Sequence, residues 1–296
     1  LAKLKNTYID ALPGLVGADG RLHTSYDALG TTTGRLSSKN PNLQNIPIRT
    51  PLGNEIRKAF VAEHGCKLLS ADYSQIELRV VAHLAADKEM IRIFKEGKDI
   101  HNATAAEILD IKESDVGKEA RRMAKVLNFG VIYGMSLHGF AQAAGVDLAR
   151  AKEFIKKYFL EFAGVAKYIE KTKKSAARDG FVQTLFGRKR FIPEINSSAW
   201  NLRQAAERMA INMPVQGTAA DLLKMAMVEL AKSQWLMANS KILLQVHDEL
   251  VFEAKAGSAK KFASKILELM QGVIKLKVPI LAEAKAGKNW GELKPL

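Results

Sequence analysis

Within residues 67–79, in the run KLLSADYSQIELR, the apolar pattern changes from that of a buried strand to that of an amphipathic helix. Leu68 and Leu69 followed by small residues predict a short strand. Ser74 with Glu77 three positions on is a capping-box spacing, and Ile76, Val80 and Leu84 then mark one helical face. Asp72 therefore falls where a strand hands over to a helix. A carboxylate at a sheet rim, near the positive end of a helix, is suited to holding a divalent metal in an open cleft. Taken alone, the stretch is equally satisfied by Asp72 as a turn residue and Glu77 as a cap.

The C-terminal part returns to strand patterning. In KILLQVHDELVFEA two apolar runs meet at His247, Asp248 and Glu249, which predicts a tight β-hairpin with acids at its tip. Phe262, Ile266, Leu269, Met270 and Val273 follow with helical period, and residues 278–282 read as a closing strand. Strand, hairpin, helix and strand together predict an α+β unit, an antiparallel sheet backed by helices with the Asp72 strand beside the hairpin. Adjacent carboxylates at a hairpin tip become a metal-site candidate only with a partner carboxylate elsewhere.

Between these parts the chain reads as mostly helical over residues 85–210. In EARRMAKVLNFGVIYG, Arg121, Lys125, Phe129 and Tyr133 recur every four residues, drifting only ~40° per step along ~18 Å of helix. The stripe offers two cations and then two aromatic rings, the order needed to hold a triphosphate and then its sugar and base. Each pair alone reads as a solvated face or as core. Residues 148–179 predict two helices stopped by Gly180, with Phe154, Ile155, Tyr158 and Phe159 as core candidates, and FVQTLFGRKRFIPE predicts a hairpin turning at Gly187 and Arg188. Residues 201–211 read as a helix broken near Pro214, with a second helix from Thr218 carrying Leu222, Leu223, Ala226 and Leu230 inward.

Residues 21–50 are dense in Thr, Ser, Asn, Gly and Pro and predict irregular backbone; with Arg35, Lys39 and Arg49 they suit either contacts along a sugar-phosphate backbone or an ordinary polar loop. The formal charge of +14 favours polyanionic partners, and the single cysteine, Cys66, excludes an internal disulfide framework or thiolate cluster and points to a reducing compartment. Residues 126–146 are long enough for a membrane span, but Asn128, Ser136, Gln142 and several glycines make them a buried or site-lining segment, so no membrane association is expected. The chain begins with Leu and lacks a signal-peptide layout, as expected for a fragment of a longer protein.

Three stretches, DYSQIELR at 72–79, RRMAKVLNFGVIYG at 121–134 and QVHDEL at 245–250, resemble the polymerase signatures of family A DNA polymerases, the bacterial DNA polymerase I type. TGRLSS at 33–38, NLQNIP at 42–47 and NMPVQGTAADL at 212–222 resemble that family too, in its order. The resemblance implies the C-terminal polymerase region lacking most of the thumb. Its right-hand architecture would divide into palm with thumb base (1–84), a mostly helical fingers subdomain (85–205) and the rest of the palm (206–296). It leaves no room for exonuclease or nuclease domains and implies poor processivity for this piece.

What the resemblance implies chemically is DNA-templated addition of deoxynucleotides to a primer 3′ hydroxyl by two-metal-ion phosphoryl transfer, with pyrophosphate released. Asp72 and Asp248 would bind two Mg²⁺, for which Mn²⁺ can substitute, with Tyr73 as a further metal contact and Glu249 as support. Arg121, Lys125 and His101 would grip the triphosphate, Lys125 giving a proton to the departing pyrophosphate. Phe129 would pack on sugar and base, Tyr133 would guard the templating position, Gln75 would touch substrate, and Glu77 would block a ribose 2′ hydroxyl. Arg35, Asn42, Gln44, Asn45, Arg203, Asn212, Gln216 and His247 would contact primer-template DNA, reading pair geometry in the minor groove. The implied partners are primer-template DNA and deoxynucleoside triphosphates, the implied state a monomer. The implied location is the cytoplasm, at the nucleoid, for a bacterial source, with an organelle or virus-infected cell for other sources.

A two-metal nuclease would share the carboxylates but needs no triphosphate clamp. A non-catalytic DNA-binding fragment would share the charge but has no use for intact acids at both positions. An RNA polymerase of related architecture is disfavoured by Glu77.

Overall fold

The computed structural model describes residues 4–48 and 50–296; Arg49 lies outside the described residues. Two compact units are present, one formed by Leu1–Ser74, Ala220–Ile274 and Leu281–Leu296, the other by Gln75–Ala219 and Lys275–Ile280.

The first unit is built on a five-stranded antiparallel sheet in the order β6-β7-β3-β8-β9. Its strands are β3 (Cys66–Tyr73), β6 (Ser240–Val246), β7 (Glu249–Lys255), β8 (Ala282–Gly287) and β9 (Lys294–Pro295). A small ladder of β1 (Ser25–Asp27) and β2 (Ser37–Lys39) lies in the polar N-terminal segment. The period-2 alternation of β3 explains its two faces. Leu69, Ala71 and Tyr73 share one face, where the helix Ala259–Gly272 buries Phe262, Ile266 and Met270 and the Tyr73 hydroxyl donates to the Met270 carbonyl at 2.8 Å. Leu68, Ser70 and Asp72 share the other. There Leu68 joins Val246, Val251 and Trp290 in a core with Tyr8, Leu12, Leu43 and Ile46. Asp72 thus emerges on the face away from that helix because it is an even-numbered neighbour of Leu68 and Ser70.

The second unit is helical. Its helices are α2 (Ile76–Ala85), α3 (Lys88–Lys95), α4 (Ile100–Leu109), α5 (Lys118–Ile132), α6 (Leu137–Ala144), α7 (Leu148–Glu161) and α8 (Ala163–Asp179), α1 (Pro51–Lys58) belonging to the first unit. Asp87 ties two of these elements together. Its carboxylate caps α3 through the Met90 amide at 2.9 Å and accepts from Gly164 N at 2.7 Å in the first turn of α8. Gly164 is required there, since a Cβ would stand 2.7 Å from the Asp87 Cα. The hairpin of β4 (Phe181–Gln183) and β5 (Lys189–Phe191) turns through Gly187 at φ 83°.

Three expectations need correction. First, α2 opens one residue later than the Ser74 cap implied: Gln75 is the cap residue, in the left-handed region at φ 54°, with no side-chain cap bond of its own. Second, no break occurs at Pro214, and α9 runs unbroken as Trp200–Lys232 with the proline inside it. An internal proline costs about 3 kcal/mol through a lost hydrogen bond and a ring clash. Around it Ala210, Met213, Val215, Ala219, Leu222 and Leu223 are all buried, and each large apolar side chain removed from water contributes about 1.5–3 kcal/mol, which outweighs that cost. Third, residues 278–281 are not strand. Val278 and Ile280 are buried, but Pro279 has no amide to give a ladder and its carbonyl accepts from the Arg79 guanidinium at 2.7 Å, so β8 begins at Ala282.

Candidate active site

Asp72 and Asp248 come together through strand pairing. In the β3–β7 ladder Asp72 faces Glu249, and Asp248 sits one residue earlier, in the two-residue turn joining β6 and β7. The turn is tight because His247 takes the left-handed conformation at φ 54°, and the Tyr73 amide donates to the Asp248 carbonyl at 3.3 Å, fastening the turn to the end of β3. Two residues on adjacent strands and one in the connecting turn therefore present three carboxylates at one sheet end, though Asp72 and Asp248 lie far apart in sequence.

The electrostatics follow. Desolvation by the surrounding protein, then Glu249, then Asp248 push the Asp72 carboxyl up to about 7, although its side chain reaches solvent. Burial also raises Asp248, opposed by the Arg35 guanidinium, whose Nη2 lies 3.9 Å from Oδ1, and by His247. Glu249 is braced by the Trp290 indole N–H, 3.4 Å from Oε1. Such a surplus of negative charge on oxygen ligands is the donor chemistry of a hard divalent cation. No group of three or more His, Cys, Asp or Glu among the described residues is arranged to hold a metal unaided. Two carboxylates completed by substrate phosphates and water fit Mg²⁺, which dehydrates reluctantly and seldom takes an all-protein cage. The Tyr73 hydroxyl is buried and spent on Met270, so any metal contact from Tyr73 falls to its main chain.

In the second unit the stripe has the predicted form. Lys125 and Tyr133 are exposed and Arg121 and Phe129 half-buried along one side of α5, with the Phe129 and Tyr133 rings stacked at 6.4 Å. Arg121 Nη2 donates to Asp99 Oδ2 at 2.7 Å, a partner that helical spacing gave no means of finding. Asp99 also caps α4 through the His101 and Asn102 amides at 2.8 and 2.9 Å. That cap sets His101 beside Phe129, ring centroids 5.9 Å apart, and burial, aided by Arg121 and Lys125 against Asp99, drives the His101 ring down to about 4. Glu77 is buried and accepts from the Tyr133 hydroxyl at 2.7 Å. Gln75 is half-buried at the start of α2.

The residues read as DNA contacts fall in both units. In the first, Asn42, Asn45 and His247 are exposed. The Gln44 amide is engaged within the protein, Oε1 accepting from Ser38 N at 3.1 Å and Nε2 donating to Gln245 Oε1 at 2.8 Å, so it braces the hairpin. Tyr26, which sequence reasoning missed, clasps the same residue by donating to the Gln245 carbonyl at 2.9 Å. In the second unit Arg203 Nη1 donates to the Ser197 carbonyl at 2.9 Å, and Gln216 is half-buried on α9. Asn212 is also half-buried, and its Nδ2 is shut off from solvent with no hydrogen-bond partner among the described residues.

The sequence model described as DNA polymerase family A matches residues 1–292. The chain is 51% identical over 291 residues to the thermostable DNA polymerase I of Thermus aquaticus, covering 98% of this chain and 35% of the relative. It is 50% identical over 296 residues to DNA polymerase I of Pseudomonas aeruginosa, covering 99% and 32%. It thus spans about a third of the length of the curated relatives it matches. Among solved structures, the POL domain of Pol1 from M. smegmatis, in complex with DNA primer-template and dNTP, superposes with a TM-score of 0.93 at 41% identity, over 98% of this chain and 51% of that one.

Proposed function

The chain belongs to DNA polymerase family A, and from that premise we propose that it catalyses DNA-templated addition of deoxynucleotides to a primer 3′ hydroxyl, releasing pyrophosphate. The observation that carries this reading is the meeting of Asp72, Asp248 and Glu249 at one end of the β3–β7 ladder. The sheet-based unit would act as palm with the base of the thumb, and the helical unit as fingers.

Asp72 and Asp248 would hold two Mg²⁺, with Glu249 steadying the anionic end of the site; divalent metal when bound supplies a more acidic primer hydroxyl and charge neutralisation for the leaving pyrophosphate. Arg121, Lys125 and His101 bind the triphosphate, and Lys125, solvent-reachable at mid-stripe, gives the proton to the leaving group. Phe129 packs against sugar and base. Tyr133 borders the templating position and holds the Glu77 carboxylate, whose bulk excludes a ribose 2′ hydroxyl, with Gln75 touching the same substrate. Arg35, Asn42, Gln44, Asn45, Arg203, Asn212, Gln216 and His247 line the path of primer-template DNA. The bacterial relatives support a cytoplasmic setting, and no helix among the described residues is long and apolar enough to cross a membrane.

The test is a primer-extension assay at high enzyme concentration with Mg²⁺. Template-directed lengthening of the primer by deoxynucleotides supports the reading. Shortening of the primer, or binding without synthesis by a folded chain, would refute it.

A further inference from the structure

The His101 imidazole sits in a hydrogen-bond chain whose direction can be worked out donor by donor. Thr104 lies one turn along α4 and is fully buried, and its hydroxyl is 2.7 Å from the Ile100 carbonyl but 3.3 Å from Asn128 Oδ1. A hydroxyl has one proton, and the shorter contact takes it, the usual back-bond of a helical threonine. Thr104 Oγ1 is then only an acceptor toward Asn128, so the group 3.0 Å from it must be the Nδ2 amide. That same Nδ2 is 3.1 Å from His101 Nδ1. Its second N–H therefore points at Nδ1, which must carry a lone pair.

We infer that Asn128 is a positioning residue that fixes His101 as the tautomer protonated on Nε2, so that the ring presents an N–H donor to an incoming phosphate oxygen. The inference rests on the triphosphate role given to His101 above and goes beyond it by naming what sets the ring's proton. The opposite tautomer would aim a lone pair at an anion. Burial supports the assignment, because a ring driven down to about 4 is neutral at pH 7 and has only one N–H to direct. Among the described residues Nε2 makes no hydrogen bond of its own, and Asn128, Thr104 and His101 are all buried, so water does not compete for the chain that sets it. Asn128 lies on α5 between Lys125 and Phe129, turned inward from the stripe, and so links the helix carrying the cations to the helix carrying the histidine.

The test has a readout independent of catalysis. In ¹⁵N-edited NMR of the histidine rings, with H101Q identifying the resonance, His101 in the wild-type chain at pH 7.5 shows its proton on Nε2; a proton on Nδ1 overturns the inference. In steady-state primer extension, N128A raises KM for the nucleotide about tenfold, the size of one lost hydrogen bond to a charged group. Since Asn128 acts through the ring, N128A adds nothing in an H101A background, whereas a merely structural role leaves the two effects additive and overturns the inference. If H101A alone leaves KM unchanged, the triphosphate role itself falls and this inference with it. Additivity with an active H101A effect sinks only the role of Asn128.

Discussion

Replacing Asp72 by Asn should stabilise the metal-free protein while destroying its activity. The carboxyl stands at about 7 against a reference of 3.8 because ionising it means desolvation and repulsion by Glu249 and Asp248. With the folded value raised, the folded state holds this proton more tightly than the unfolded chain. The contribution is therefore fully present below about pH 4 and is lost as pH rises through about 7. At pH 8 the wild type carries the whole penalty and the neutral amide carries none. The side chain is more than a third exposed, so solvent screening discounts the shift, leaving about 1–2 kcal/mol. For a chain this size that is roughly 4 °C in Tm. The assay is thermal unfolding in chelator at pH 8 and pH 4, then at pH 8 with excess Mg²⁺. Asp72→Asn should melt above wild type at pH 8 in chelator, match it at pH 4, and gain less from Mg²⁺, which under the proposed metal role would bind the wild-type carboxylates and stabilise by mass action. A variant melting at or below wild type in chelator at pH 8, or an advantage that persists at pH 4, would refute the electrostatic reasoning.

Other consequences are more local. Glu77→Ala removes the acceptor of the Tyr133 phenol at 2.7 Å and the bulk proposed to block a 2′ hydroxyl; extension with ribonucleotides should rise at least about tenfold relative to deoxynucleotides, and unchanged selectivity would reduce Glu77 to a support for Tyr133. Asp87→Ala leaves the Met90 and Gly164 amides without their acceptor in a buried place, and should cost about 3 kcal/mol in denaturant unfolding; a loss below about 1 kcal/mol would mean those helix ends find other partners.

Much of the site was legible because its chemistry rides on short-range patterns. The period-2 run into Asp72 and the two apolar runs around His247 and Asp248 are local, and antiparallel pairing then leaves few ways to set them side by side. The four-residue spacing from Arg121 to Tyr133 is likewise a property of one helix. What could not be read were partners chosen by tertiary packing. Asp99 for Arg121, Glu77 for Tyr133 and Asn128 for His101 lie 22, 56 and 27 residues away, and no periodicity links them. Pro214 misled because its local cost is real and was overridden only by burial along α9. Gln75 misled in the opposite sense: a left-handed cap residue leaves no signature when the residue is not glycine or asparagine.

The central claim is that two acids brought together by one ladder and its turn carry metal-dependent nucleotide addition. Single-turnover primer extension with saturating deoxynucleotide and titrated Mg²⁺, comparing wild type with Asp248→Asn, tests it most directly. The account predicts a rate lowered by about a thousandfold or more at every Mg²⁺ concentration, since the carboxylate underwrites several kcal/mol of transition-state stabilisation, with primer-template affinity retained. Extension by Asp248→Asn at the wild-type rate would contradict it.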